Sequence, residues 1–335
     1  MQSNYTSMGV TFIGCGAAAP ATVVLNDALA QVVDTSDEWI SSRTGIRQRH
    51  ISNDRESLAG FATQAARQAL EMGGVNPTDI DAIILATSSS EDLFGTACQI
   101  QAQLGATKAV AFDLTAACSG FVFGVVTAAQ FLRTGVYRNI LVIGADLLSR
   151  WVDWHDRNTC VLFGDGAGAI LMQANQNTDR LLGFEIKSDG TQNACLNLAF
   201  KPELSELLPG IILTQGKYQY ITMNGKEVYR FAINRVPEAI GKVIHQAHLT
   251  SQDIDWLILH QANQRIMDAV AERLQIAPEK VVSNVAKYGN TSAASIPIAL
   301  NEAVRAGKIQ AGDTIAISGF GAGLSWGAAI FQWGN

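Results

Sequence analysis

The segment Ala111-Phe112-Asp113-Leu114-Thr115-Ala116-Ala117-Cys118-Ser119-Gly120-Phe121 sets a thiol where an apolar strand gives way to a helix of small residues. First-turn N–H groups of a helix lack intrahelical partners and carry the positive end of its dipole, so a thiolate at Cys118 is expected to be stabilised and its pKa lowered. Such a thiolate is a nucleophile; the alternative is a buried structural cysteine, the commoner fate of a lone Cys. Two further segments bear on the choice. Leu257-Ile258-Leu259-His260-Gln261-Ala262-Asn263 is an apolar run ending in a histidine, and Tyr288-Gly289-Asn290-Thr291-Ser292-Ala293-Ala294-Ser295 is a glycine turn opening a second small-residue helix. The chain also repeats itself. Asp79-Ile80-Asp81 before Ala82-Ile83-Ile84-Leu85 returns as Asp253-Ile254-Asp255 before Trp256-Leu257-Ile258-Leu259. On that register Cys118 falls opposite Ser292, so the nucleophile and the Asn290 turn open equivalent helices in two halves of a duplicated fold. His260 ends a strand of the second half, and the three side chains can converge at one end of the paired structure.

The elements that must hold these residues follow a βαβ grammar. Strands are expected over residues 10–13, 82–86, 109–112 and 139–143, with helices over 58–71 and from 118 to about 132. The second half restarts with a long helix over 225–245, then strand 256–259, helix 264–274, strand 280–282, helix 293–306 and strand 314–318. Thr78, Thr250 and Ser251 signal helix starts, and Gly73, Gly74 and Gly307 signal stops. The least periodic stretch, 173–222, carries Gly190, Pro202 and Pro209 and holds the expected boundary. It divides the chain into 1–173, with Cys118, and 174–335, with His260 and Asn290, neither half independent. Gly14-Cys15-Gly16 lacks the third glycine of a dinucleotide fingerprint and reads as a turn.

With 335 residues, 48% of them apolar and 16% charged, the chain is long enough for a deep core and reads as a compact globule. Its five cysteines (Cys15, Cys98, Cys118, Cys160, Cys195) are scattered and free of C-x-x-C pairs, which argues against a disulfide framework or a zinc site and for a reducing cytoplasm. His245 and His248 have no carboxylate or Cys set to complete a metal site, and no metal is expected. The N-terminus Met1-Gln2-Ser3-Asn4-Tyr5-Thr6 has no basic stretch before an apolar run, and no later run approaches the ~20 apolar residues that span a bilayer. Neither export nor membrane insertion is expected. A net charge of −6 argues against nucleic acid as a partner.

Taken together and in order, these segments resemble the thiolase-like condensing enzymes, and within them the β-ketoacyl-[acyl-carrier-protein] synthase III family. The resemblance runs over essentially the whole chain. It also rests on Thr35-Ser36-Asp37-Glu38-Trp39-Ile40 leading to Arg43-Thr44-Gly45-Ile46-Arg47, on Ala97-Cys98-Gln99-Ile100-Gln101, on Phe163-Gly164-Asp165-Gly166-Ala167-Gly168-Ala169, and on Gly319-Phe320-Gly321-Ala322-Gly323-Leu324-Ser325-Trp326-Gly327. It implies an α/β fold of five αβαβα layers, with two mixed sheets from duplicated halves. It also implies a homodimer and a reaction that initiates type II fatty acid synthesis. Cys118 would take an acyl group, acetyl or somewhat longer, from acyl-CoA; malonyl-acyl carrier protein would then be decarboxylated and condensed with it. Acyl-CoA is a substrate in this scheme, and no cofactor is held permanently.

The resemblance also distributes roles. His260 through Nε2–H and Asn290 through its side-chain amide would donate to the enolate oxygen, where fixed donors act without a metal. A second oxyanion hole would join the Cys118 N–H to one from the Gly321-Ala322-Gly323 turn, in which Ala322 replaces a glycine common in relatives and disfavours a positive φ. Phe320 would pack on the malonyl carboxylate. Trp39, Arg43 and Thr44, with Arg157 stacking from the other side, would bind the nucleotide end of coenzyme A, and Asn263 its pantetheine arm. Lys226 stands where relatives carry another pantetheine-contacting asparagine. Lys226, Arg230 and Arg265 would form a basic patch for the acidic carrier protein. Leu93 would close the partner subunit's acyl pocket. The Gly319–Gly327 segment lacks the second cysteine of a degradative thiolase, and Asn290 occupies the place of the elongating synthases' second histidine. A specialised ketide synthase uses the same three residues and remains an alternative. A catalytically dead partner subunit should have lost Cys118 or His260.

Overall fold

The computed structural model describes residues 8–334; the Met1–Thr6 stretch read for export signals lies outside the described residues. Two sheets form the frame. The first runs Gly9–Ala18, Asp165–Asn175, Asn139–Leu147, Ala82–Ala86 and Val110–Leu114 in spatial order. The second runs Leu181–Ser188, Ser325–Gln332, Thr314–Gly321 and Trp256–Leu259. Strand directions match position by position: Ala82–Ala86 lies parallel to Asn139–Leu147 as Trp256–Leu259 lies parallel to Thr314–Gly321, and the remaining neighbours toward the far edge are antiparallel. The repeated Asp-Ile-Asp segments thus lead into equivalent strands.

The expected strand at 280–282 does not form. Pro278, with no N–H to donate, opens a 3-10 turn over Pro278–Lys280, and Val281 makes a single parallel bridge to Leu257. That bridge occupies the place that Val110–Leu114 fills in the first sheet. The expected turn at Gly14-Cys15-Gly16 is instead mid-strand, because bare Cα atoms there let a helix backbone lie almost on the sheet: a Cβ on Gly16 would meet the Ala65 carbonyl oxygen at 2.0 Å. The first sheet's last contribution ends at Asn175, and the aperiodic stretch after it contains Leu181–Ser188 and an exposed hairpin, Phe200–Leu208 with Ile211–Tyr218.

Three apolar clusters define five layers. Phe121, Val125 and Leu132 of the helix Gly120–Arg133 and Ile296 and Leu300 of the helix Ser295–Arg305 pack against Val10, Ile84 and Ile170 of one sheet and Ile258, Ile317 and Phe331 of the other. Leu58, Ala62 and Ala66 of the helix Leu58–Gly73 cover the first sheet's outer face, and Val236, Ile240, Met267 and Val270 of the helices Gly225–Gln246 and Gln264–Leu274 cover the second's. Strands covered on both faces need apolar residues at every position, which is why Ala82–Ala86 reads as an unbroken buried run. No helix among the described residues is long and apolar enough to cross a membrane.

Candidate active site

Both central helices begin at one end of the sandwich, each after a 3-10 turn: Ala117–Ser119 before Gly120, and Ser292–Ala294 before Ser295. Each turn opens on a non-glycine residue at positive φ, Ala117 at 46° and Ser292 at 51°. The equivalence is therefore one residue removed from the register read in the sequence: Ala117 matches Ser292, and Cys118 matches Ala293. Glycines on the two sheets confirm it. A Cβ on Gly144 would meet the Ala293 carbonyl oxygen at 2.1 Å, and one on Gly319 the Cys118 carbonyl oxygen at 3.0 Å.

Cys118 lines a cavity of about 2150 Å³ that His260, Asn290, Phe320, Ala322 and Ser292 also line. Its pKa runs opposite to the expectation. Burial pushes the thiol up to about 12; the Ser292 hydroxyl offsets part of that rise, and the charge of Asp146 adds to it. The resting group is a thiol, and the helix proper starts two residues later. Against it lies the Gly321-Ala322-Gly323 turn, close enough that a Cβ on Gly321 would come within 2.7 Å of the Cys118 nitrogen. Gly323 takes the positive φ of this turn, at 130°, so alanine is accommodated at 322. Ser325 ties turn to nucleophile loop, its hydroxyl meeting Ser119 Oγ at 2.8 Å and donating to the carbonyls of Ala322 and Ala116.

His260 is 2% exposed, and burial holds its pKa down at about 3, so the ring is neutral. Its Nδ1 lies 2.7 Å from Ser295 Oγ, which also accepts from the Gln261 N–H. A serine proton directed at Nδ1 puts the ring proton on Nε2, the tautomer in which Nε2 can donate into the cavity. Phe320 packs edge-on against the ring at 5.3 Å. Asn290 is oriented from behind: its Oδ1 accepts from the Ser292 N–H at 2.9 Å, which leaves the NH2 as a donor. Its backbone is clamped by Leu162 and Gly164. Two neutral donors and a thiol on one cavity can stabilise an enolate and hold a thioester.

At the mouth, Arg43 and Arg157 each sit 4.8 Å from the Trp39 ring centroid. Arg157 thus lies directly on the indole, also donating to the Asp34 carbonyl, and a base entering between them must displace it. Asn263 is committed: it caps its helix through the Arg265 N–H and donates to the Arg43 carbonyl. Thr44 donates to the Ile40 carbonyl and accepts from the Ile46 N–H. Lys226 and Arg265 line the cavity mouth, but Arg230 turns to Glu227 on a separate groove. Leu93 and Phe94 also line this cavity, 83% and 98% exposed. Ser295 and Asp146 were not singled out in the sequence; the available signal for Asp146 was a lone acid inside the apolar run from Ile140 to Leu148. No group of three or more His, Cys, Asp or Glu among the described residues is placed to hold a metal.

Two family models match the chain: "3-Oxoacyl-[acyl-carrier-protein (ACP)] synthase III" over residues 112–190 and its C-terminal counterpart over 244–333. A β-ketoacyl-[acyl-carrier-protein] synthase III of Trichormus variabilis is 66% identical over 98% of this chain and 99% of its own length. The namesake from Synechocystis is 59% identical over 98% of this chain and all of its own length. Among solved structures, the 3-oxoacyl-[acyl-carrier-protein] synthase III of Aquifex aeolicus superposes with a TM-score of 0.89 at 42% identity, covering 97% of this chain and 100% of the other. The priming β-ketosynthase of the R1128 polyketide pathway also reaches 0.89, at 32% identity over 99% and 98% of the two chains.

Proposed function

The chain belongs to the β-ketoacyl-[acyl-carrier-protein] synthase III family of condensing acyltransferases, and from that premise we propose how its own residues perform the reaction. Cys118 attacks the thioester carbonyl of an acyl-CoA, and the tetrahedral oxyanion is met by its own N–H and one from the Gly321-Ala322-Gly323 turn. CoA leaves, malonyl-acyl carrier protein enters, and loss of carbon dioxide builds an enolate whose oxygen accepts from His260 Nε2–H and the Asn290 amide. The carbanion attacks the Cys118 thioester to give 3-oxoacyl-acyl carrier protein and free Cys118. The observation that carries this reading is the pair of neutral donors, each fixed from behind by a serine residue, on the cavity that holds the thiol.

The mouth residues divide in function. Trp39, Arg43 and Arg157 bind the nucleotide end of CoA, with Thr44 and Asn263 holding that helix and the next in place. Lys226 and Arg265 attract the carrier protein, with a lesser part for Arg230. The halves 1–173 and 174–335 act as one unit, because both central helices touch both sheets. The working assembly is a cytoplasmic homodimer. Its support is the unpaired outer edge of Val110–Leu114, with Val110 and Phe112 exposed, together with the exposed Leu93 on the cavity lining. The likeness to a priming ketosynthase keeps a specialised ketide synthase as a second reading, separated from the first by primer preference.

Intact mass after incubation with acetyl-CoA tests the first half-reaction. Wild type gains one acetyl group and Cys118→Ala gains none; an acetyl adduct on the variant removes Cys118 from its role.

A further inference from the structure

We propose that Arg49 is a positioning residue for Asn290, fixing through the segment 161–164 the backbone from which that side chain donates; the inference rests on the reading of Asn290 as a donor to the enolate. Arg49 lies in the short strand Gln48–His50 and is 0% exposed. Its hydrogen-bond partners among the described residues are all neutral: Nη1 donates to the Val24 carbonyl at 3.1 Å, and Nη2 to Asn26 Oδ1 at 2.8 Å and to the Val161 carbonyl at 2.9 Å. Directly after Val161 comes the clamp on Asn290. The Leu162 carbonyl accepts from the Asn290 N–H at 2.9 Å, and the Gly164 N–H donates to the Asn290 carbonyl at 3.0 Å. The arginine stem lies against both segments, since a Cβ on Gly164 would stand 3.1 Å, and one on Gly289 3.4 Å, from Arg49 Cβ. Residues flanking Arg49 hold the rest of the turn. His50 stacks on Tyr288 with ring centroids 5.0 Å apart, and the Arg47 N–H donates to the Ala286 carbonyl at 3.1 Å.

A buried cation that faces only neutral groups costs more than an apolar side chain of similar volume would. Packing alone does not account for it. What a guanidinium adds is a planar, rigid fork of charge-assisted donors, and here the fork ties the 161–164 segment to the strand pair Val23–Leu25 and Gln48–His50, in which Val24 stands opposite Arg49. Its charge is answered at one remove, because Asn26 turns its NH2 to Asp37 Oδ1 at 2.8 Å and to the Ile46 carbonyl at 2.7 Å. The consequence at the site is one of direction. Gly289, at a φ of 65°, turns the chain, Asn290 is held at both of its peptide groups, and its Oδ1 is fixed by the Ser292 N–H, so the NH2 points where the backbone sends it. Arg49 does not itself line the cavity, and it reaches the chemistry through Asn290. Displacing a catalytic group by about 1 Å can cost about a hundredfold in rate.

The test is a double-mutant cycle of Arg49→Met and Asn290→Ala, read on two half-reactions: carbon dioxide release from malonyl-acyl carrier protein, and acetylation of Cys118 at saturating acetyl-CoA followed by intact mass. Arg49→Met keeps an apolar stem and removes the fork. Its kcat for carbon dioxide release should fall by about tenfold or more, while KM for the carrier protein and the acetylation rate stay within about twofold of wild type. In the Asn290→Ala background the same change should slow release no further, because the group it positions is gone. A further tenfold loss there, or acetylation falling in step with release, makes Arg49 a residue of the general fold and overturns the proposal. Where Arg49→Met does not fold, Arg49→Gln replaces it in every arm; failure of both to fold likewise assigns Arg49 to the fold and overturns its positioning role. Asn290→Ala slowed beside an unslowed Arg49 variant sinks the proposal alone. Release at the wild-type rate in Asn290→Ala sinks the reading on which it rests.

Discussion

His260 enters the proposed reaction as a neutral ring, and that follows from burial alone, with no charged neighbour responsible. An imidazole that stays uncharged donates from Nε2 across the whole working pH range. Asn290 complements it with a donor that never titrates. His260→Ala and Asn290→Ala should therefore lose decarboxylation of malonyl-acyl carrier protein by on the order of a hundredfold or more, with acetylation of Cys118 much less affected. Carbon dioxide release measured apart from acetylation decides this, and equal loss of both would mean that the residues hold the fold, not the transition state. Burial of the neutral ring also couples to stability. The unfolded histidine takes a proton below about pH 6.5 and the folded one only near 3, so the native state loses stability as pH falls through that window, by up to about 1.4 kcal/mol per pH unit. In chemical denaturation from neutral pH down to about pH 5, wild type should lose more stability than His260→Gln. Parallel slopes would show that the ring protonates in place.

At the scale of elements, helix and strand ends deliver every group: His260 follows a strand, Cys118 lies in the turn before one central helix and Asn290 just ahead of the turn before the other, and Asn263 caps the helix that starts with Gln264. Such ends are legible because their chemistry is local. The Asp-Ile-Asp repeat announced the duplication, and the strands at 82–86 and 256–259 and the helix at 264–274 fall where the apolar periods place them. What was illegible depends on tertiary contacts. Leu181–Ser188 carries little period of its own and becomes a strand by pairing with Ser325–Gln332. The thiol's raised pKa comes from burial between two sheets, which no local pattern reports. Asp146 meets the Ala293 N–H, far along the chain, only once the two halves are folded together. The basic patch is likewise sorted by neighbours: Arg230 spends its charge on Glu227, while Arg265 stands over Tyr229 at the mouth. Arg265→Glu should raise the KM for the carrier protein severalfold and Arg230→Glu far less, with acetylation from acetyl-CoA nearly intact. Salt should erode wild-type carrier use, since screening shortens the reach of the attraction to about 8 Å at physiological ionic strength. Salt-insensitive use counts against the patch.

The whole molecule is the scale at which primer choice is set. The loop Glu91-Asp92-Leu93-Phe94-Gly95-Thr96 is anchored at its base, where the Thr96 and Ala97 N–H groups bond Asp113, yet its apolar tip stands in solvent. Two such side chains held out from a firm base fit a surface to be covered, and the bare edge of Val110–Leu114 lies beside them. In the proposed dimer these edges meet, and Leu93 closes the acyl end of the partner's cavity. Leucine is smaller and more flexible than phenylalanine, so the closed pocket should take primers somewhat longer than acetyl. A methylene more or less is worth only about 1–3 kcal/mol of discrimination, and the preference should be broad. Leu93→Phe should narrow it, raising the ratio of kcat/KM for acetyl-CoA over butyryl-CoA by roughly tenfold or more, with the dimer intact by sedimentation. A glutamate at 93 buries a charge at the joint and should weaken the dimer and the acyl pocket together. An unchanged ratio in Leu93→Phe, in a protein that is still a dimer, places some other side chain at the end of the pocket.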